Sequence, residues 1–154
     1  MALFIGDYTC KVDPKGRILF PSAFKKQMDA ASDEHFVIKK DIFEQCLVLY
    51  PFKEWERQNE IIRNRLNPYN REHNRFLRAF FKGSAEVFLD GNSRILIPKR
   101  LLESADIQKD AVLAGQDGKI EIWSKELYEA GGLNEDEFAT LAEKILGNTN
   151  NTEQ

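Results

Sequence analysis

The sequence predicts a mainly β fold with added helices, built as two tandem ββαββ halves that close one barrel-like core. Three observations carry this expectation. The first is an internal repeat: Asp13-Pro14-Lys15-Gly16-Arg17-Ile18-Leu19-Phe20-Pro21 returns, 77 positions later, as Asp90-Gly91-Asn92-Ser93-Arg94-Ile95-Leu96-Ile97-Pro98. The agreement spreads outward, with Phe4 matching Phe81, Gly6 matching Gly83, Cys10 matching Val87 and Val12 matching Leu89. A repeat fixes architecture before any single residue is read, and two copies are too few for a solenoid. The second observation is that both copies are flanked by short apolar or alternating runs of strand character. The third is length: 154 residues make one domain by size. A half of this size cannot bury both faces of its strands alone, so the halves pair.

Residues 8–12 alternate Tyr8, Cys10 and Val12 against Thr9 and Lys11, the period of a half-buried strand. Asp13-Pro14-Lys15-Gly16 then offers Asp at the first turn position, Pro at the second and Gly at the fourth, as a type I turn prefers. A strand over 17–20 follows, so residues 8–20 read as a hairpin with Arg17 at its mouth. Pro21 stops the strand and a short helix covers 22–28. Residues 29–34 form a polar loop, and 36–39 and 46–50 are two strands, the latter almost wholly apolar and therefore central. The second copy repeats this order: strands over 85–89 and 94–97 form a hairpin around Gly91-Asn92, a helix covers 99–104, and strands cover 111–114 and 119–123.

Between the copies lies a helical hairpin. Residues 53–66 carry Trp55, Ile62 and Leu66 on one stripe, with acids in the first turn and Arg63 and Arg65 in the last, as a helix dipole favours. Asn67-Pro68 breaks that helix, and 70–82 is a second one bearing Phe76, Leu77, Phe80 and Phe81. Alternating Glu and Arg read as a solvated face, whereas the aromatic excess reads as a subunit interface. The last element opens with a capping box, Asn134 with Glu137. Its apolar face is Phe138, Leu141, Ala142, Ile145 and Leu146, expected to pack on its own protein, and Gly147 suits the C′ position. A disordered tail is expected over 148–154. The segments are thus 1–52 (first repeat), 53–82 (helical hairpin), 83–128 (second repeat) and 129–154 (C-terminal helix and tail).

Net charge is −3, but seven acids stand against Lys144 alone from Glu126 onward, so residues 1–125 carry +3. Such a mild excess needs bases gathered on one face, or many copies acting together, to hold nucleic acid. The start of the chain lacks the charged, long apolar form of a signal peptide, and no apolar run reaches the roughly 20 residues of a membrane span. With only Cys10 and Cys46, a reduced, cytoplasmic protein is expected. His35 and His73 lie in no nucleophile motif, the Cys and His spacing fits no zinc pattern, and no glycine-rich phosphate cradle occurs. No enzyme, cofactor, metal, membrane or small-molecule substrate is therefore expected.

The repeated Asp-x-x-x-Arg carries two readings. In one, Asp13 and Asp90 cap their turns and pair with Arg17 and Arg94 purely as scaffolding, with Gly16 and Gly91 shaping the loops. In the other, the tips present cations: Arg17 with Lys15 and Lys11, and Arg94 with Lys99 and Arg100 just past Pro98. A two-stranded ribbon fits the DNA major groove, and Arg and Lys meet phosphates and base edges there.

These motifs, and the helical pair between them, resemble the MraZ family of bacterial transcriptional regulators over roughly residues 1–146. The resemblance implies tandem AbrB- and MazE-type units in a swapped-hairpin barrel. It implies a nucleoid-associated DNA-binding regulator, expected to be a repressor, of the division and cell-wall gene cluster. Its partner would be double-stranded promoter DNA with short direct repeats, bound by a ring-like homo-oligomer. Arg17, Lys15 and Arg94 would face DNA, the second tip offering less charge because Asn92-Ser93 replaces Lys15-Gly16. Avidity across several protomers would offset the weak charge of one. The alternative is an antitoxin on the same barrel, which usually ends in an extended, toxin-binding tail. A C-terminal helix packed on its own protein would argue against it.

Overall fold

Short strands bounded by Gly, Pro and Asp, and helices opened by Pro, set the order of elements. The computed structural model describes residues 2–28 and 34–147. In chain order these hold β1 (Asp7–Lys11), β2 (Arg17–Leu19), α1 (Ser22–Gln27), β3 (His35–Lys40), β4 (Leu47–Pro51), α2 (Phe52–Arg65) and α3 (Arg71–Phe81). Then come β5 (Ala85–Phe88), β6 (Arg94–Leu96), α4 (Lys99–Ser104), β7 (Asp110–Gln116), β8 (Lys119–Ser124), α5 (Lys125–Ala130) and α6 (Glu135–Leu146). The polar loop expected after Met28 lies, except for Glu34, outside the described residues, as does the tail expected after Gly147.

The mainly β class and the two-half plan hold. The sheet is open, with six strands in the order β1-β7-β8-β4-β3-β5, and a separate two-stranded ribbon β2-β6 spans its opening. Single bridges, Val12 to Ile18 and Leu89 to Ile95, tie the ribbon to the edge strands.

The expected hairpins within each half form only at their tips, through the turn and one bridge each, and do not continue as paired strands. β1 pairs with β7 of the other half, β5 pairs with β3, and β2 pairs with β6. The two halves are exchanged at the strand level. Chain geometry gives the reason. Each turn closes tightly, but Ile18 and Ile95 must both reach the core, and they do so by crossing to face each other in register.

The core lies between the sheet and the ribbon. It gathers Ile18, Phe20 and Phe24 with their repeat counterparts Ile95, Ile97 and Leu101, against Phe36, Leu49, Leu113 and Ile122. Each large side chain buried there is worth about 1.5–3 kcal/mol. As its apolar run predicts, β4 sits inside the sheet between β3 and β8. A second cluster, Val37, Val48, Tyr50, Trp55 and Phe80, fills the outer face of β3 and β4 beneath α2 and α3. Trp55 stacks on Phe80 with the ring planes 6° apart. Coverage on both faces explains why β4 carries no alternation.

The region after β8 departs from expectation in three ways. The short helix α5 was not foreseen; Ser124 caps it by accepting from the Leu127 N–H at 3.1 Å, and Tyr128 donates to Asp7 at 2.7 Å. α6 has the expected capping box at Asn134 and Glu137, yet no residue of it is buried, so it does not pack on its own protein. Gly147 closes α6 in right-handed conformation at φ −83°, not in the left-handed one that C′ glycines adopt.

Candidate nucleic-acid interface

Asp13 organises the first turn. Its Oδ1 accepts from the backbone N–H groups of Lys15 at 2.9 Å and Arg17 at 2.8 Å. Its Oδ2 accepts from Arg17 Nε at 2.7 Å, and its carbonyl accepts from the Gly16 N–H at 2.9 Å. The Arg17 backbone N–H, followed by its guanidinium, holds the Asp13 carboxyl down to about 2. Gly16 is left-handed at φ +93°, and an added Cβ would lie 2.8 Å from the Ile97 carbonyl oxygen.

The second turn repeats the pattern with looser joints. Asp90 Oδ1 accepts from the N–H groups of Asn92 at 2.8 Å and Arg94 at 2.9 Å. The Arg94 backbone N–H is first among the groups that lower the Asp90 carboxyl from its ordinary range. Arg94 Nε, however, stands 3.4 Å from Asp90 Oδ2 and is buried without a hydrogen-bond partner. The left-handed position falls on Ser93 at φ +60°, not on Gly91, where a Cβ would meet nothing. Gly91 is therefore not a conformational requirement of its turn.

The exchange of strands places each tip against the opposite half. Ile97 N–H donates to the Gly16 carbonyl at 2.9 Å, and Phe20 N–H to the Ser93 carbonyl at 2.8 Å. These bonds are repeat images of one another. They correct the expected grouping of cations. Lys99 lines the hollow beside Asp13, Pro14, Gly16 and Lys11, so it serves the first tip and not Arg94. Arg100 is engaged elsewhere, donating from Nη1 to the Gly83 carbonyl at 2.8 Å. Beside Arg94's turn stands Lys25, whose Nζ donates to Ser93 Oγ at 3.1 Å. Sequence reading missed Lys25. The repeat gave no signal for it, because the image of Lys25 in the second copy is Leu102.

The ribbon puts both arginines on one outward face. Ile18 and Ile95 point inward, so Arg17, Leu19, Arg94 and Leu96 point outward, with Arg17 opposite Leu96 and Leu19 opposite Arg94. Leu19 and Leu96 are 59% and 55% exposed. Lys15 is exposed at the first tip, and Lys11 is exposed beside it, 3.2 Å from Asp110. Such a face offers cations for phosphates or base edges and apolar groups for thymine methyls. Among the described residues no group of three or more His, Cys, Asp or Glu could hold a metal, and no helix is long and apolar enough to cross a membrane.

Comparison with known proteins returns one family over nearly the whole chain. The family model of the MraZ protein, whose description calls it antitoxin-like, matches residues 3–79 and again 80–147. A protein of Flavobacterium psychrophilum named transcriptional regulator MraZ is 44% identical over 154 residues, 99% of this chain and 98% of its own. A protein of the same name from Phocaeicola vulgatus is 42% identical over 97% of each chain. Another from Clostridium tetani is 36% identical over 93% of this chain and 96% of its own.

Proposed function

The chain belongs to the MraZ family, and on that footing we propose that it is a sequence-specific DNA-binding transcriptional regulator, acting as a repressor of the division and cell-wall gene cluster. This is a family of regulators and not of enzymes. The observation that carries the reading is the β2–β6 ribbon, which brings Arg17 and Arg94 from two distant copies of one motif onto a single outward face. Lys15, Lys11 and Lys99 supply phosphate contacts at the first tip and Lys25 at the second, while Arg100 stays with Gly83. Asp13, Gly16 and Asp90 hold the turns. A ring-like homo-oligomer sets several ribbons on successive direct repeats upstream of its own operon, and avidity then offsets the weak charge of each protomer.

The test is retardation of the chain's own upstream DNA. Arg17→Ala abolishes retardation while the oligomer keeps its size on a sizing column; unchanged retardation overturns the role given to Arg17. Affinity also falls steeply with salt, as phosphate contacts require, and a flat response contradicts them.

The antitoxin reading keeps one specific support. The packed C-terminal helix that argued against it is not found, because α6 is uncovered. A stable complex with the product of an adjacent gene would favour that reading over regulation alone.

A further inference from the structure

Two leucines on the β2–β6 ribbon stand where a solvated strand face calls for polar residues. With Ile18 and Ile95 turned to the core, Leu19 and Leu96 take outward positions, 59% and 55% exposed. An antiparallel pair with one wet face keeps polar residues there. Strand preference does not account for them either, because strands favour β-branched and aromatic residues over leucine. A single exposed leucine is ordinary on a protein surface. Here, however, the two fall at equivalent positions of the repeat and on one face.

The two copies differ close by. Lys15-Gly16 answers to Asn92-Ser93, and the buried Phe20 answers to the buried Ile97. Between those differences the run Arg17-Ile18-Leu19 is kept as Arg94-Ile95-Leu96. The core accounts for the isoleucines, and pairing with Asp13 and Asp90 accounts for the arginines. The leucines, more than half exposed, point to a contact outside the protomer.

Their setting selects that contact. The register Arg17–Leu96, Ile18–Ile95, Leu19–Arg94 gives the ribbon a quasi-twofold axis through the isoleucine pair, so each leucine faces the arginine of the other copy. Lys15 stands at the first turn and Lys25 at the second. An apolar protein surface would meet two guanidiniums here. DNA gives the cations phosphates and base edges, and its major groove gives the leucines the thymine 5-methyl group. Along each strand Arg and Leu are two residues apart, about 6.8 Å, which is also about the rise of two base-pair steps.

We propose that Leu19 and Leu96 are specificity-determining residues that read thymine methyls in the major groove, each beside the base met by the arginine opposite. This rests on the DNA-binding reading above. It adds to the charged contacts an apolar one that tells thymine from a pyrimidine without the methyl.

Replacing thymine by deoxyuridine in the chain's own upstream DNA removes the methyl and leaves every hydrogen-bonding group in place. Fluorescence anisotropy with the full chain, at one salt concentration, reads the two affinities. The wild type is expected to lose about fourfold for each methyl that a leucine covers, as burial of one methyl-sized group gives. The double variant Leu19→Ala, Leu96→Ala is expected to bind both DNAs equally, about as weakly as the wild type binds uracil DNA. Both substitutions replace exposed side chains, and circular dichroism confirms the fold. Should the double variant not bind at all, the single variants decide: each must show a smaller thymine-to-uracil ratio than the wild type. A variant that keeps the wild-type ratio overturns the proposal, because uracil then acts through DNA shape and not through leucine. Equal binding of both DNAs by the wild type also overturns it, while the DNA-binding reading stands. A wild type that binds neither DNA overturns that reading, and this assignment with it.

Discussion

The turns at Asp13–Arg17 and Asp90–Arg94 share one geometry and differ in how firmly they hold it. In both, one carboxylate oxygen takes two backbone N–H groups and the Asp carbonyl takes a third. The first turn adds a 2.7 Å bond to Arg17 Nε, a glycine at the left-handed position and the neighbouring cations Lys15, Lys11 and Lys99. The second leaves Arg94 Nε unbonded, bends a serine into left-handed conformation and has Lys25 beside it. Backbone donors to the Asp are what the turn requires. Guanidinium pairing and surface charge are free to diverge.

The largest expected effect separates the two left-handed positions. Gly16→Ala places a Cβ against the Ile97 carbonyl at a left-handed residue and should cost ~3 kcal/mol in urea unfolding. Ser93→Gly relieves the same conformation and should stabilise by up to ~1 kcal/mol. Equal effects would erase the distinction. Next come the arginines: Arg17→Ala should weaken the DNA contact of each protomer by about 1–3 kcal/mol, as loss of a specific contact does. The several protomers of the oligomer multiply that loss until retardation is abolished. Arg94→Ala should cost less, read as apparent affinities at one salt concentration.

A smaller contrast is in acid. Asp13 titrates at about 2 in the fold against an ordinary 3.8, so the stability it lends is complete above that ordinary value and is lost as pH falls toward 2. Asp13→Asn should therefore flatten the acid unfolding profile over that window, and Asp90→Asn should flatten it less. The smallest effect tests the exchange of partners. In double-mutant cycles on DNA affinity, Lys99→Ala should couple with Lys11→Ala at the first tip, by roughly 0.5 kcal/mol, and add independently to Arg94→Ala. Coupling to Arg94 instead would restore the grouping that chain order implies.

Much of this was legible in the residues. The repeat set the number of halves, Asp and Gly placed the first turn, and apolar runs located β3, β4, β7 and β8. The helical pair followed from periodicity, and Asn134 with Glu137 marked the start of α6. Three features were not legible. Lys39 reads as a surface base within an apolar strand, yet it is buried over Phe80 and its pKa is lowered by that burial. Ser93 carries no sequence mark of a left-handed backbone. α5 is too short to show a period, and its cap, the Ser124 side chain, is seen only in the structure.

The sequence by itself determined the local shapes: two turns nucleated by Asp, helices begun by Pro, and inward residues at Ile18 and Ile95. It did so because those preferences act over four or five residues and need no distant partner. Only the tertiary structure decided which strand meets which. The repeat makes β2 equivalent to β6 and β1 to β5, so chain order alone cannot say whether a strand pairs within its half or across it. Burying both Ile18 and Ile95 between one sheet and one ribbon selects the crossed arrangement. That choice sets Arg17 and Arg94 on a single face and gives Lys99 to the first turn and Lys25 to the second.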